Sequence, residues 1–302
     1  MAAFERFIIC NPTARRGRGQ TTADYLRGLL RARGLRAAVA QATDWAHASR
    51  LAREAAEQGY AQVVAAGGDG TVNAVANGLV GTGAALGVLP LGTGNILAYN
   101  LGVAALPQAL AALEQDRRIP MDLGLIGSRH FVAVAGVGLD AQVARSVEDF
   151  WKQSIGRLAF FTEGLNQLVR DKPHLFHIDM EGEGCTAVEE ELWSAFFCNV
   201  PEHTGRLPLA RGATLNDGWL HLILFRDVNA WRWTFGVGDA LFRTGDLAQV
   251  PGITVHRVRK ARITTEPPWG WEADGDVGGV TPVEVEVRPG ALEVVAGEIP
   301  SA

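Results

Sequence analysis

Gln62–Ala66 is a short apolar run, and Gly67-Gly68-Asp69-Gly70-Thr71 follows it directly, opening an apolar helical pattern. No other feature of the sequence constrains the fold as tightly. A glycine-rich turn between a buried strand and a helix presents backbone N–H groups at the carboxyl end of the strand, where open α/β sheets bind ligands. The surroundings repeat the theme. Phe7–Cys10, Ala37–Ala40, Gln62–Ala66 and Leu86–Leu89 are predicted as strands. A first helix is expected behind a Thr21/Asp24 capping pair, with Tyr25, Leu26, Leu29 and Leu30 on one face and Gly34 as its C-cap. Ala46–Gln58 (closed by Gly59), Val72–Leu79, Ile96–Leu101 and Leu106–Glu114 are read as further helices. Strand and helix in turn argue for a parallel sheet with right-handed crossovers.

The rhythm changes near Asp122. Gly127-Ser128, Gly182-Glu183-Gly184, Asp217-Gly218 and Pro289-Gly290 read as hairpin turns, and Val283, Val285 and Val287 alternate with Glu284 and Glu286 as in a half-buried strand. Leu192–Asn199, Trp219–Phe225 and Arg257–Thr265 are further strand candidates, with helical stretches near Ile155–Val169 and Ala230–Phe242. An α/β domain followed by a largely antiparallel β domain is expected, with the boundary near residue 126.

Composition removes several functions. The formal net charge is −5, which does not favour a nucleic-acid binder. Cys10, Cys185 and Cys198 form no CxxC and no disulfide framework, which suits a reducing compartment. Met1–Cys10 carries Glu5 and Arg6 and leads straight into a strand, unlike a signal peptide. Gly70–Leu113 has no charged residue, but Asn73, Asn77, Pro90, Asn95 and Asn100 interrupt it, so we expect a buried strand between backbone-rich loops, not a membrane span. Lysine occurs only at Lys152, Lys172 and Lys260, and no GxxxxGK[ST] loop exists, which excludes P-loop NTPases. A protein-kinase-like first lobe lacks its strand lysine. No HExxH or GxSxG is present.

Glycine is in excess: 36 residues, where roughly 7% of a chain this long would give about 21. Much of the excess lies in loops that follow strands. Pro90-Leu91-Gly92-Thr93-Gly94-Asn95 comes after the fourth strand, and Asn11-Pro12-Thr13-Ala14-Arg15-Arg16-Gly17-Arg18-Gly19 after the first. Neighbouring glycine loops can cradle a nucleotide, and arginines can neutralise phosphate without lysine. Asp69 among phosphates makes sense if it handles Mg²⁺ or takes a proton from an incoming hydroxyl.

These three loops resemble the catalytic domain of the diacylglycerol kinase and sphingosine kinase family, nearest the bacterial soluble lipid kinases. Met121-Asp122-Leu123-Gly124, Gly136-Val137-Gly138-Leu139-Asp140-Ala141, Asp217-Gly218-Trp219-Leu220 and Asp274-Gly275-Asp276 have family counterparts in the same order. The resemblance implies a three-layer α/β domain with an NAD-kinase-like parallel sheet over residues 1–126, and an antiparallel β-sandwich with a few helices over 127–302. The last residues are free in this scheme to pack back on the first domain. A cleft between the domains is the expected site.

The implied activity is ATP- and Mg²⁺-dependent phosphorylation of a lipid hydroxyl, with a diacylglycerol or sphingoid-type acceptor. Asn11, Thr13, Arg15, Thr43, Gly67, Gly68, Asp69, Gly70, Thr71, Asn73, Gly92, Thr93, Gly94 and Asn95 are the ATP candidates. Asp217, with the carbonyls of Thr214 and Trp219, resembles a Mg²⁺ site, and Asp122 an outer member of the same acidic network. Asp276 stands where bacterial relatives usually have a glutamate base, and the aspartate matching Asp69 is the favoured base in sphingosine and NAD kinases, so both are candidates. Ile96 stands where many relatives have aspartate. A lipid substrate, transient contact with a membrane surface, no nucleic acid and a cytoplasmic location at the inner membrane face are expected, with a homodimer left open.

Rival readings exist. Gly136–Ala141 also fits the GxGxxA dinucleotide pattern, but no βαβ unit follows it. NAD kinase shares GGDGT, and a non-catalytic lipid- or nucleotide-binding relative would explain Asp276. Trp269 and Trp271 flank the Asp274–Asp276 turn, as a lipid-touching rim or as ordinary packing. Asp140 reads as a helix N-cap, and His203 and Arg206 are assigned no role.

Overall fold

The computed structural model describes residues 6–12, 22–138, 173–184, 187–203, 207–208, 212–226 and 247–299. Thr13, Arg15, Thr21, Asp140, Arg206 and the helical stretches expected near 155–169 and 230–242 lie outside the described residues. The chain divides into two compact units, Met1–Met121 with Gly290–Ala302, and Asp122–Pro289.

In the first unit, strands β1 (Arg6–Cys10), β2 (Ala37–Gln41), β3 (Gln62–Gly67) and β4 (Ala85–Pro90) are all parallel, in the order β2-β1-β3-β4. Ile8, Ile9, Val63, Val64 and Leu86 are fully buried. A strand covered on both faces reads as a continuous apolar run, which is why these strands stand out in the sequence. The helices are α1 (Thr22–Ala32), α2 (Trp45–Glu57), α3 (Asp69–Leu79), α4 (Ile96–Asn100) and α5 (Leu106–Gln115). The step from β1 to β2 and the step from β2 to β3 run in opposite directions across the sheet. Right-handed crossovers therefore put α1 on one face and α2 with α3 on the other. Arg33, just past α1, pairs with Glu114 of α5 at 3.5 Å, so α5 shares the face of α1. On the opposite face α2 packs on α3 through small buried residues, Ala48, Ala52 and Ala55. The three layers match the expected α/β architecture.

Helix α3 begins at Asp69, earlier than the expected Val72. The N–H groups of Thr71 and Val72 both reach the Gly68 carbonyl, at 2.9 and 3.1 Å, so the glycine turn passes directly into helix. Gly-Asp-Gly has poor intrinsic helix propensity. Burial of Val72, Val75, Ala76 and Leu79 carries the helix instead.

The second unit contains β5 (Arg118–Ile126, entering from the first unit), β6 (Arg129–Phe131), β7 (Val134–Gly138), β8 (His174–Gly182), β9 (Ala187–Leu192) and β10 (Ser194–Cys198). They are followed by β11 (Glu202–His203), β12 (Leu207–Pro208), β13 (Leu220–Phe225), β14 (Ile253–Glu266), β15 (Gly270–Ala273), β16 (Asp276–Val280) and β17 (Val283–Val295). One antiparallel layer runs β16-β15-β7-β10-β13-β14. At a register shift between Val258 and Lys260, β14 leaves β13 and pairs with β8 and β17, with β9 beyond β8. Val137, Ala195, Phe197, Leu222 and Leu224 from the first layer share one core with Phe176, Ile178, Ala261, Ile263 and Val285 from the second. This is the expected β-sandwich. The expected alternation in β17 holds, with Val283, Val285 and Val287 buried. Trp269 and Trp271 are partly buried against that core, and Trp269 stacks on His174 at 3.7 Å between ring centroids.

Gly127-Ser128 joins β5 to β6, and Gly182–Gly184 ends β8 before β9, as the hairpin signals implied. Two others are corrected. Pro289-Gly290 does not reverse the chain: β17 runs through it, with Gly290 at φ 57 bending the strand where it passes from one unit to the other. Beyond the bend, Val294 pairs in parallel with Leu86, so the end of β17 extends the sheet of the first unit. Asp217-Gly218 precedes β13, whose partners are β10 and β14, and its turn is closed by side chains described below. No helix among the described residues is long and apolar enough to cross a membrane.

Candidate active site

The candidate residues fall into a set on the first unit and a set on the second. On the first, the loops after β1, β2, β3 and β4 leave the same edge of a parallel sheet. The chain goes from β1 outward to β2, then back past β1 to β3, so the topological switch lies between β1 and β3. Ligands of open α/β sheets bind at such a point. Asn11 follows β1 and its N–H donates to the Ala66 carbonyl of β3 at 3.2 Å, tying the two loops together at the switch.

The Gly67–Thr71 and Pro90–Asn95 loops are in direct contact. The Leu91 N–H donates to the Gly67 carbonyl at 3.0 Å. Gly92 lies against Gly68, backbone to backbone. A Cβ on Gly92 would overlap the Gly68 Cα and sit 3.0 Å from Asn95 Oδ1, so only glycine allows this approach. Asn95 has a left-handed backbone (φ 52) and clasps the loop it ends: Gly92 N–H donates to its Oδ1 at 3.1 Å, and its Nδ2 donates to the Gly92 carbonyl at 2.9 Å.

Asp69 fastens the whole assembly. Its Oδ2 accepts from the Asn95 N–H at 2.8 Å and its Oδ1 from the Ile96 N–H at 2.7 Å. Both oxygens thus hold the start of α4, where unsatisfied N–H groups favour an anion. Two other ATP candidates also act on the frame. Asn73 is buried in α3, and its Oδ1 accepts from Trp45 Nε1 at 2.9 Å. Exposed Thr43 donates from Oγ1 to Asp44 at 2.8 Å, beside the N-cap of α2. Gly70 and Thr93 are the exposed positions of the two loops.

On the second unit, Asp122 is buried in β5. Its N–H donates to the Leu215 carbonyl at 2.8 Å, and its Oδ2 accepts from the Gly218 N–H at 2.7 Å. Asp217 belongs to the turn that Asp122 binds in this way. Its Oδ1 accepts from the Trp219 N–H at 3.0 Å and its Oδ2 from the Thr214 N–H at 3.3 Å, with His221 Nε2 at 3.5 Å. Thr214 and Trp219 therefore meet Asp217 through their N–H groups, whereas the sequence expectation concerned their carbonyls. Burial raises the Asp217 pKa, but the hydrogen bonds of His221, Thr214 and Trp219 outweigh it and hold the carboxyl below its ordinary value. The Trp219 ring lies 4.8 Å from the Arg257 guanidinium and 4.5 Å from that of Arg259.

Asp276 opens β16, and its Oδ2 accepts from Arg129 Nη2 at 2.5 Å, while its side chain stays 44% exposed. Asp274 is different. At φ 49 it turns its carboxylate onto three consecutive N–H groups, Val132 at 2.7 Å, Ala133 at 2.9 Å and Val134 at 3.0 Å. Buried Glu272 accepts from the Gly275 N–H at 2.7 Å. Asp274 and Glu272 thus hold the turn that carries Asp276 through backbone N–H groups. Arg129 and His221 carry no local sequence signal: Arg129 meets a carboxylate far along the chain, and His221 reaches back four residues from the start of β13 to Asp217. Asp274 is visible only as a member of its motif.

The comparisons agree along the chain. Residues 5–126 match the diacylglycerol kinase catalytic domain, and residues 133–296 match the YegS C-terminal NAD kinase beta sandwich-like domain. A Bacillus subtilis protein named diacylglycerol kinase is 27% identical, over 78% of this chain and 78% of its own length. A Pseudomonas putida protein named as a YegS-like lipid kinase is 30% identical, over 82% of this chain and 81% of its own. A longer Synechocystis relative is 28% identical, and the match spans 55% of its length. The crystal structure of a diacylglycerol kinase from Bacillus anthracis shares the fold, with a TM-score of 0.72, 20% identity and 99% of each chain covered. The chain belongs to the lipid kinase family that joins a diacylglycerol kinase catalytic domain to a YegS-type C-terminal β-sandwich domain.

Proposed function

We propose that this protein transfers the γ-phosphate of ATP to the hydroxyl of a diacylglycerol- or sphingoid-type lipid, with Mg²⁺ as cofactor. The observation that carries the reading is the contact of Gly68 with Gly92. Two glycine loops crossed at the carboxyl edge of a parallel sheet present backbone N–H groups, and no side chain at either crossing residue stands in front of them. The first-turn N–H of Gly70 has no carbonyl within its own helix to serve. Phosphate oxygens suit such a surface without lysine, and the arginines after β1 add charge.

The donor set around Asp217 fits Mg²⁺. Asp122 and Asp217 are bound to the adjacent amides of Gly218 and Trp219, and the ionisable His221 side chain also pairs with Asp217. Among the described residues no group of three or more acidic, His or Cys side chains could cage a metal. Mg²⁺ is commonly held by one or two carboxylates together with water and substrate phosphate, so two suffice. When bound, Mg²⁺ would neutralise phosphate charge as the phosphoryl group moves.

Asp276 is the proton acceptor in this scheme. Its exposed carboxylate takes the proton of the lipid hydroxyl as the new P–O bond forms and ADP leaves, and Arg129 fixes its orientation through one oxygen. Asp69, with an N–H group on each oxygen, holds the loops. A cytoplasmic protein touching the inner membrane face to reach its substrate is part of the same proposal. The test is γ-labelled ATP with a total lipid extract. A labelled lipid that disappears in Asp276→Asn, with ATP affinity retained, is the expected result. ATP binding without any labelled lipid would favour a non-catalytic binding relative and sink the proposal.

A further inference from the structure

Asn199, at the end of β10, is almost fully buried and sits between the two acidic groups of the second unit. Its Nδ2 donates to the Asp122 carbonyl at 2.8 Å and to the Val132 carbonyl at 2.9 Å. Its own N–H donates to the Ala133 carbonyl at 2.8 Å. The amide orientation is fixed by this pattern, since the flipped form would set an oxygen against two carbonyl oxygens. Its Oδ1 then stays buried with no protein donor among the described residues. A buried acceptor left unmatched is a cost, tolerated where the other half of the group is needed for geometry.

What that geometry controls follows from the neighbours. Asp122 carries the Gly218 contact of the Asp217 turn. Val132 and Ala133 belong to the N–H row that holds Asp274, and Asp274 sets the turn bearing Asp276. One amide therefore links the Asp122–Asp217 pair to the Asp274–Asp276 turn. We propose that Asn199 is the positioning residue of the reaction, fixing the metal-binding carboxylates and the proton acceptor relative to one another. This rests on the kinase reading given above for those two groups. Asn199 belongs to the second unit and the glycine loops that would take ATP to the first, so its loss should separate turnover from nucleotide binding.

The test uses the full-length protein and Asn199→Ala, with Asn199→Asp as a second variant that keeps the shape but lacks the two donors. Expected is a kcat at least tenfold lower and a higher Mg²⁺ concentration for half-maximal rate, with ATP affinity within twofold of wild type. A purely structural role would lower the melting temperature and spare these ratios, and that outcome would overturn the proposal. Amide hydrogen exchange gives a readout that needs no activity. Asn199→Ala should speed exchange at Gly218 and at Val132–Val134 together, whereas Asp122→Asn should affect only Gly218 and Asp274→Asn only Val132–Val134. Acceleration of one set alone in Asn199→Ala would refute the link. If wild type transfers no phosphate to lipid while Asn199→Ala loosens both sets, the kinase reading fails and the coupling stands.

Discussion

Asp69 offers the sharpest separation of roles, because a base and a loop fastener fail in different ways. Its carboxylate accepts two N–H bonds, from Asn95 at 2.8 Å and Ile96 at 2.7 Å, and it is partly exposed. Bonds to an ionised acceptor contribute about 1.5–3 kcal/mol each when well sheltered. Partial exposure and replacement by water reduce the sum, so Asp69→Ala should cost the first unit about 2–3 kcal/mol. At roughly 3 °C per kcal/mol for a unit of this size, its melting transition should fall on the order of 8 °C. Freed from α4, the Pro90–Asn95 loop should lose its register against Gly68, and ATP affinity should fall about tenfold or more. Asp69→Asn should do nearly as badly, since its NH₂ would face the N–H of Asn95 or Ile96. Calorimetry for stability and titration calorimetry for ATP give both readouts without turnover. Suppose instead that Asp69→Asn keeps its melting temperature and ATP affinity and loses about 10²–10⁴ in kcat. Asp69 would then be the base and our assignment would be wrong.

Gly92→Ala should abolish ATP binding and destabilise the first unit by about 1–3 kcal/mol, because its Cβ would press on the Gly68 backbone. Gly83→Ala, in open space at an ordinary backbone angle, should be silent in the same assays. For Asp217, burial raises the pKa but hydrogen bonding wins, leaving it below its unfolded value. Its stabilisation is then complete at neutral pH and is lost as pH falls below about 4 toward the folded value, so wild type and Asp217→Asn should converge in acid denaturation. A wild-type advantage that persists unchanged to the lowest pH would contradict this. Burial pushes the Cys10 thiol up to about 11 and the Cys198 thiol higher still, so neither should be alkylated near neutral pH in native protein, as peptide mapping would check.

Much of the first unit is legible in the sequence for one physical reason. Strands buried on both faces are continuous apolar runs, and the glycines that end them must bring backbone close to backbone or to ligand. The same locality makes the glycine loops visible as a site. What stays hidden is long-range. Asp69 looks like a chemical group because its partners, Asn95 and Ile96, lie far along the chain. Arg129 and Asp276 meet only through the sheet of the second unit, as do Asp274 and the Val132–Val134 amides. Pro289-Gly290 carries every local sign of a hairpin, yet β17 continues because each half is hydrogen-bonded to a different partner strand, β14 before the bend and β4 after it. Local chemistry specified the bend; tertiary pairing decided that the chain would not turn back.

The proposal that this protein moves phosphate from ATP onto a lipid alcohol can be tested directly. The most direct measurement follows the label from γ-labelled ATP into lipid in mixed micelles of diacylglycerol with Mg²⁺, for wild type and Asp276→Asn side by side, and repeats it with a sphingoid base. Our account predicts a labelled phospholipid from one of these acceptors with wild type, a loss of at least a hundredfold in Asp276→Asn, and equal ATP affinity for both proteins. Full transfer by Asp276→Asn, or no transfer to either acceptor or to a total lipid extract by an ATP-binding wild type, would contradict it.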